Sequence, residues 1–158
     1  MAIDLCQDSD LEVISVDVNQ QVLEDLAKEH PIQIRVADLS TQEGVTRAIA
    51  DADIVIGSVP YSIGYSMLET VIRAGKNIVD ISYFMEDPFG LDKLAQAHGV
   101  TAVVDCGVVP GMANIILGYH TRKMKVDRYE CYVGGIPKSR DTPLEYLSPF
   151  PVLEVLEE

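Results

Sequence analysis

The strongest constraint on the fold is a repeated alternation of short β-branched segments with longer amphipathic ones. Segments rich in valine and isoleucine recur along the first two thirds of the chain, and a stretch of helical length follows each. The predicted strands are residues 12–16, 32–36, 53–57, 77–81 and 100–104. Because apolar residues occupy both faces of these strands, the pattern predicts an α/β fold with a parallel sheet covered by helices on each side.

Helix-capping residues support the same order of elements. We expect Asn19 to cap a helix that runs to about Glu29, and Ser40 with Glu43 to form a capping box for the next one. Asp87 is expected to cap a later helix. A further strand is predicted at 126–133. The apolar residues expected to face the core are Val45, Ala48 and Ile49; Met67, Leu68, Val71 and Ile72; Leu91, Leu94 and Ala95; and Met112, Ile115, Ile116 and Tyr119.

Length and composition predict a globular chain with a core of its own. The 158 residues are 47% hydrophobic and carry a formal net charge of −13. A chain of this size buries enough surface to fold without disulfides or structural metals. The strong negative charge makes nucleic acid and anionic membrane surfaces poor partners.

Targeting signals and metal motifs are not evident. No apolar run approaches the ~20 residues that span a bilayer, and no basic segment precedes an apolar stretch at the start, so we expect a cytoplasmic protein. The three cysteines form no CxxC pair, and the three histidines lack the spacing of metal ligands. We therefore expect neither a disulfide framework nor a metal site.

The beginning of the chain departs from a complete doubly wound domain. Such a domain starts with a strand, a glycine-rich turn and a helix that binds pyrophosphate at its N-terminus. Residues 1–6 look like the end of that helix, and the strand and its glycines are absent. We therefore expect a Rossmann-like sheet that lacks its first, central strand, in an N-terminally truncated product. The strand edges left unpaired predict self-association, so a homo-oligomer is expected.

An acidic residue at the end of the first predicted strand suggests a nucleotide site. Asp17 can accept hydrogen bonds from both hydroxyls of an adenosine ribose, and its charge would repel a 2′-phosphate. This interpretation favours NAD over NADP as cofactor. Alternatively, Asp17 is an ordinary turn or capping acid in the segment 17–19, and the local sequence does not decide between the two.

Two further strand ends carry small or polar residues where open parallel sheets bind ligands. Small residues in the segment 57–61, which includes Val59 and Pro60, would let a cofactor approach the main chain. Asp80 and Tyr83 could contact a polar substrate, although an acid in such a turn is often only a cap. Cys106, in the turn 105–111, has no neighbouring histidine to activate it, so we do not expect a nucleophile there.

Together these segments resemble the saccharopine dehydrogenase family, which includes lysine 6-dehydrogenase. The similarity is carried by residues 16–19, 37–39, 58–61, 79–83 and 105–111, and by 132–137 with Glu145 and Tyr146, which are similar to the start of that family's substrate domain. It implies an NAD(P)-binding Rossmann-like domain at 1–121 and the beginning of an α+β substrate domain at 122–158.

The resemblance also implies positions for individual residues. They are Asp17, Val18 and Asn19 at the adenosine ribose; Asp38 and Leu39 at the adenine; Ile56 and Ser58 along the cofactor groove; Ser82 and Tyr83 near the nicotinamide and substrate; and Val108 to Pro110 on the opposite wall. No general base is assigned.

The implied activity is a hydride transfer from an amine-bearing carbon of an amino acid such as lysine to NAD. The saccharopine-forming branch of the family usually has an aspartate where this chain has Val109, which favours the lysine 6-dehydrogenase-like branch. Another amine substrate on the same scaffold is a further alternative. From a different class, the chain could be a noncatalytic binding or assembly module that completes its sheet with another chain.

Overall fold

The computed structural model describes residues 1–109, 111–134, 138–139 and 141. The chain divides into two compact units, Met1–Gly107 and Val108–Glu158. We describe each unit by itself. The boundary after residue 121 between a cofactor domain and a substrate domain stays a prediction.

The first unit, all of whose residues are described, alternates strands with helices. Its elements are α1 (Ala2–Leu5), β1 (Ile14–Asp17), α2 (Gln20–Glu29), β2 (Gln33–Val36), α3 (Gln42–Ala48), β3 (Ile54–Gly57), α4 (Tyr61–Arg73), β4 (Asn77–Asp80), a 3-10 turn (Pro88–Leu91), α5 (Asp92–His98) and β5 (Ala102–Val103). Each of the five predicted strands is confirmed, with ends that differ by at most two residues from the predicted ones.

The strands are parallel, but they form two sheets instead of one. Strand β1 pairs with β2, with Ile14 opposite Gln33. Strand β4 lies between β3 and β5, with Ile54 opposite Asn77 on one side and Ile78 opposite Ala102 on the other. The predicted Rossmann-like α/β class is therefore confirmed, and the sheet is interrupted between β1 and β3.

The core lies where helices α3, α4 and α5 pack on the strands. Val71 is completely buried, and Leu68, Ile72 and Ile78 are almost so. Val16 on β1 and Val55 on β3 pack against this cluster from the two separate sheets. The apolar faces predicted for α3, α4 and α5 are thus confirmed, and their burial supplies the main stabilisation of the unit.

The caps agree with the sequence at one helix and differ at two. Asn19 caps α2, and its side-chain oxygen accepts a hydrogen bond from the Val22 N–H at 3.2 Å. The cap of α3 is Thr41 instead of the predicted Ser40, because the Ser40 hydroxyl donates to Asp38 instead. Asp87 caps the 3-10 turn that precedes α5, not α5 itself.

The described part of the second unit contains helix α6 (Met112–Thr121). The prediction that its apolar residues face a core is wrong, since Met112, Ile115, Ile116 and Tyr119 are all exposed. In this helix Ala113 is the buried residue, and its carbonyl accepts a hydrogen bond from the Tyr129 hydroxyl at 3.0 Å.

The strand predicted at 126–133 is also wrong. All eight of these residues are described, and they form no strand. A strand needs a second chain segment to complete its hydrogen-bond ladder, and none of the described residues forms such a ladder with them. Among the helices of the described ranges, none has the length and apolar character needed to cross a bilayer.

The buried face of α4 makes a direct prediction about stability. Replacing Leu68 by alanine should lower the free energy of unfolding by about 2–5 kcal/mol, because the side chain is 1% exposed and its loss leaves a cavity. Urea denaturation followed by circular dichroism measures the change. The matched control is Leu11→Ala, at a residue that is 48% exposed, which should change the value by less than about 0.5 kcal/mol. Equal effects of both substitutions would contradict the assignment of the core.

Candidate functional site

The carboxyl end of β1 presents an exposed carboxylate. Asp17 Oδ1 accepts a hydrogen bond from the Asn19 N–H at 2.8 Å, which shapes the turn into α2. None of the hydrogen bonds within the described ranges uses the other oxygen, Oδ2, and the residue is exposed. The Asp17 side chain therefore shapes the turn with one oxygen and keeps the other available as a hydrogen-bond acceptor. Val18 and Asn19 beside it are exposed as well.

A second carboxylate, that of Asp38, follows the neighbouring strand β2 and is fixed by hydrogen bonds. The Ala37 N–H donates to the Asp17 carbonyl at 3.1 Å, which brings Asp38 to the strand end adjacent to that of Asp17. Asp38 Oδ1 accepts hydrogen bonds from the Ser40 hydroxyl at 2.6 Å and from the Ser40 N–H at 2.9 Å. The hydroxyl first, and the N–H second, hold the pKa of Asp38 below its ordinary value. Leu39 is half-buried and packs against the core.

The ends of β3 and β4 are tied together through a buried aspartate. Asp80 is 0% exposed, and its Oδ1 accepts a hydrogen bond from the Ser82 N–H at 2.6 Å. The Ser82 hydroxyl oxygen in turn accepts from the Val59 N–H at 3.1 Å. Asp80 thus positions Ser82, and Ser82 fixes the loop that follows β3.

The glycine at the end of β3 makes room for this aspartate. Gly57 lies opposite Asp80 in the strand register, and a Cβ atom added to it would lie 2.1 Å from Asp80 Oδ2. That oxygen is buried and has no hydrogen-bond partner among the described residues. The Asp80 side chain is therefore the first reason that position 57 requires glycine.

The candidate substrate contacts differ in their access to a ligand. Tyr83 is exposed, so a substrate could reach it, whereas Asp80 is enclosed and does not reach the surface. A catalytic role for either residue stays a prediction. The arrangement of Asp80 is that of a positioning residue.

The remaining predicted residues are distributed over two units. Ile56, Ser58 and Pro60 are exposed, Val59 is half-buried and Ser82 is buried. Val108 is exposed in the second unit. Pro110, the segment 135–137, Glu145 and Tyr146 lie outside the described residues.

One feature at the end of β5 was not anticipated from the sequence. Asp105 has a φ of 55°, in the left-handed region that non-glycine residues rarely occupy. The following Cys106 N–H donates to the Asp80 carbonyl at 3.0 Å. Burial, and then the charges of Asp105 and Asp80, raise the pKa of the Cys106 thiol, so its nucleophilic thiolate form is disfavoured.

The link from Asp80 to Val59 was also missed, although the sequence carries a signal for it. An aspartate two residues before a serine N–H is the pattern of an Asx turn, and that turn is what orients Ser82. The histidines lie at helix ends, with His30 after α2, His98 closing α5 and His120 in the last turn of α6. In the described portion, no three His, Cys, Asp or Glu side chains gather as metal ligands.

Comparison with known proteins identifies the family of this chain. Residues 1–103 match the family model described as the saccharopine dehydrogenase NADP binding domain. The chain belongs to the saccharopine dehydrogenase family. The description names NADP, so the expected preference for NAD is not supported.

Curated members of the family resemble the chain over part of their length. A saccharopine dehydrogenase [NADP(+), L-glutamate-forming] from Pyricularia oryzae is 28% identical over 116 residues, which are 69% of this chain and 26% of that protein. The mitochondrial alpha-aminoadipic semialdehyde synthase of Bos taurus is 26% identical over 153 residues, which cover 90% of this chain and 16% of that protein. The chain thus spans about a quarter or less of these relatives.

A solved structure of the family shares the fold. The apo histidine-tagged saccharopine dehydrogenase (L-Glu forming) from Saccharomyces cerevisiae aligns with a TM-score of 0.72 over 98% of this chain and 37% of that chain. The two sequences are 21% identical, so the likeness concerns the fold.

The close approach of Gly57 to Asp80 can be tested with a double-mutant cycle. Gly57→Ala should lower the free energy of unfolding by about 1–3 kcal/mol, because the new methyl group must displace the buried Asp80 carboxylate. In an Asp80→Ala background, which removes that carboxylate, the same glycine substitution should lose most of its effect. Chemical denaturation of the four proteins measures the coupling.

Gly118→Ala is the matched control for this cycle. A Cβ at Gly118 in helix α6 meets no atom within 4 Å, so alanine there should be neutral or stabilising by about 0.5–1 kcal/mol. If Gly57→Ala lowers the free energy of unfolding by the same amount in both backgrounds, the predicted clash with Asp80 is refuted.

The Asp38 carboxylate gives a pH prediction. Its pKa is depressed, so its contribution to stability is present above the ordinary value of 3.8 and is lost as the pH falls through the lower, folded-state value. Ser40→Ala removes the main cause, and the pKa of Asp38 should rise toward 3.8 in an NMR titration of the carboxyl carbon. Ser66→Ala, which removes a hydroxyl that donates to the Ile63 carbonyl instead, should leave the titration of Asp38 unchanged. An identical Asp38 curve in wild type and Ser40→Ala would contradict the assignment.

Proposed function

We propose that this chain is the nicotinamide-dinucleotide-binding part of an oxidoreductase that acts at an amine-bearing carbon of a lysine-related amino acid. The observation that carries the proposal is the match of residues 1–103 to an NADP binding domain, together with the exposed Asp17 carboxylate at the carboxyl end of β1. Parallel α/β sheets bind ligands at this end of their strands.

The residues present fit the adenosine and nicotinamide ends of such a cofactor. The free Oδ2 of Asp17 is an acceptor that a ribose hydroxyl could use, and Asp38 lies on the adjacent strand end. Ser58 and the link from Ser82 to Val59 border the other end. When bound, a nicotinamide dinucleotide would supply the hydride acceptor, while these side chains bind and orient it.

The substrate side of the proposal rests on the family and on one exposed side chain. The relatives are named for saccharopine and for alpha-aminoadipic semialdehyde, and both names point to lysine-related chemistry. Tyr83 is exposed beside the positioned Ser82, and we propose that it faces the substrate. Val109, in place of the aspartate usual in the saccharopine-forming branch, favours a lysine 6-dehydrogenase-like substrate.

Isothermal titration of the purified chain with NADP and, separately, with NAD tests the proposal. We expect binding of a nicotinamide dinucleotide in about the micromolar range. Asp17→Asn should raise the affinity for NADP relative to NAD by about tenfold, since it removes a negative charge beside the position proposed for the 2′ substituent. Circular dichroism establishes that each protein is folded.

Asp53→Asn is the matched control, because it removes the same charge at the amino end of β3, away from the proposed site. Its ratio of NADP to NAD affinity should equal that of the wild type. A folded chain that binds neither dinucleotide would overturn the proposal for this chain. A ratio that changes equally in both variants would overturn the role of Asp17.

A further inference from the structure

The segment that follows β4 alternates between buried and exposed side chains. Asp80, Ser82 and Phe84 are 0%, 6% and 8% exposed, whereas Tyr83, between the last two, is 46% exposed. Such alternation is typical of an extended backbone, in which successive side chains point to opposite sides. The three buried residues therefore share one side of the segment 80–84, and Tyr83 lies on the other side.

The first two of these buried residues contact the segment that follows β3. Gly57 lies opposite Asp80 and leaves room for its carboxylate. Two residues further along each segment, the Val59 N–H donates to the Ser82 hydroxyl oxygen at 3.1 Å. The two segments thus run side by side in the same direction beyond the ends of their strands.

The third buried residue, Phe84, packs on a glycine in the first turn of α4. A Cβ atom added to Gly64 would lie 3.2 and 3.3 Å from two carbons of the Phe84 ring, and 3.3 Å from the Tyr83 carbonyl oxygen. Carbon atoms in good contact are about 3.5–4.0 Å apart, so a side chain at position 64 would displace this ring and this carbonyl together. Phe84 also belongs to the apolar cluster of the core.

Tyr83 is therefore the exposed residue between two anchored neighbours. On one side Ser82 is held by the Asp80 carboxylate and by the Val59 N–H. On the other side Phe84 is held by the core and by its contact with Gly64. Because the main chain is fixed before and after Tyr83, the direction in which its side chain leaves the surface is fixed as well.

We propose that Phe84 and Gly64 are positioning residues, which together with Ser82 present the Tyr83 side chain to the candidate site. The inference rests on the proposed function, in which Tyr83 faces the substrate. Phe84 acts through Tyr83, since its own ring is buried in the core. A contact group that is held in place before the ligand arrives loses less conformational entropy on binding, so a fixed Tyr83 strengthens substrate binding.

The effect of this positioning is specific to the substrate side of the site. Tyr83 follows β4, which belongs to the three-stranded sheet. Asp17 and Asp38, proposed for the adenosine end of the cofactor, follow the two strands of the other sheet. A displaced Tyr83 should therefore weaken substrate binding and leave dinucleotide binding nearly unchanged.

Fluorine NMR of the ligand-free chain, with meta-fluorotyrosine incorporated in place of Tyr83, reports the surroundings of this side chain. Gly64→Ala should shift or broaden its resonance, because the new methyl group displaces the Phe84 ring and the Tyr83 carbonyl. Gly118→Ala is the matched control, since a Cβ there meets no atom within 4 Å, and it should leave the resonance unchanged. Circular dichroism checks that each variant folds.

A second pair of variants tests Phe84 directly and does not depend on the folding of Gly64→Ala. Phe84→Leu shrinks the buried ring and should shift the resonance at position 83, whereas Phe89→Leu, at a residue that is 76% exposed, should not. In the Phe84→Leu background the ring that meets position 64 is gone, so Gly64→Ala should lose most of its effect on the resonance.

Calorimetric titration with NADPH, and then with L-lysine in the presence of NADPH, connects the position of Tyr83 to the proposed function. NADPH is already reduced and cannot accept a hydride, so L-lysine binds without reacting. Gly64→Ala should weaken L-lysine binding by about fivefold or more, because Tyr83 is displaced. The same substitution should change the affinity for NADPH by less than about twofold.

Three results would overturn the inference. One is a resonance at position 83 that neither Gly64→Ala nor Phe84→Leu alters in the folded chain. Another is an equal response to Phe84→Leu and Phe89→Leu. The third is equal weakening of NADPH and L-lysine binding by Gly64→Ala, which indicates a general loss of structure. A wild-type chain that binds neither NADPH nor L-lysine contradicts the proposed function instead, and the ligand-free spectra then decide whether Phe84 positions Tyr83.

Discussion

The packing of α3 and α4 on one face of the strands holds the first unit together. No backbone ladder joins β1 to β3, so the two sheets depend on side chains to remain in one compact body. Val16 from one sheet and Val55 from the other meet the same apolar cluster beneath these helices. Arg35 on β2 adds a polar link, since its guanidinium group donates two hydrogen bonds to the carboxylate of Asp51, just before β3, at 2.8 and 2.9 Å. The hydrophobic layer therefore joins the two sheets, as strand pairing does in other α/β folds.

The geometry of the candidate site depends on that hydrophobic layer and on the buried carboxylate of Asp80. Ile78, two residues before Asp80 on β4, is fixed in the core, which places Asp80 at the carboxyl end of its strand. From there Asp80 orients Ser82, and Ser82 holds the Val59 N–H. Because burying a polar group is costly unless it is hydrogen-bonded, these two bonds stabilise the observed conformation of the loop after β3. The other oxygen, Asp80 Oδ2, is buried without a partner among the described residues.

The fold could be read from the sequence where local pattern and burial act together. The strands and the core faces of α3, α4 and α5 were predicted because β-branched segments and helical apolar spacing report burial directly. The apolar residues of α6 have the same spacing, yet they are exposed, because spacing indicates which face of a helix is apolar and not what covers it. The Ser40 cap was misplaced by one residue because Asp38 competes for the same hydroxyl.

The candidate site was less predictable than the fold, because its key contacts join residues distant in sequence. A strand-end acid such as Asp17 can be recognised locally, and its exposure agrees with either of its two interpretations. The buried role of Asp80 depends on the register that places Gly57 opposite it, which no local pattern contains. The cytoplasmic location, the homo-oligomeric state and the domain boundary at residue 121 stay predictions.

The proposed cofactor positions lie at the carboxyl ends of strands from both sheets. Asp17 and Asp38 follow β1 and β2, whereas Ser58 and Ser82 follow β3 and β4. Because side-chain packing and not a backbone ladder joins the two sheets, the relative position of these two pairs depends on the apolar cluster against which Val16 and Val55 pack. A ligand that contacts both pairs would therefore stabilise that packing in turn, since a ligand and the arrangement it favours stabilise each other reciprocally.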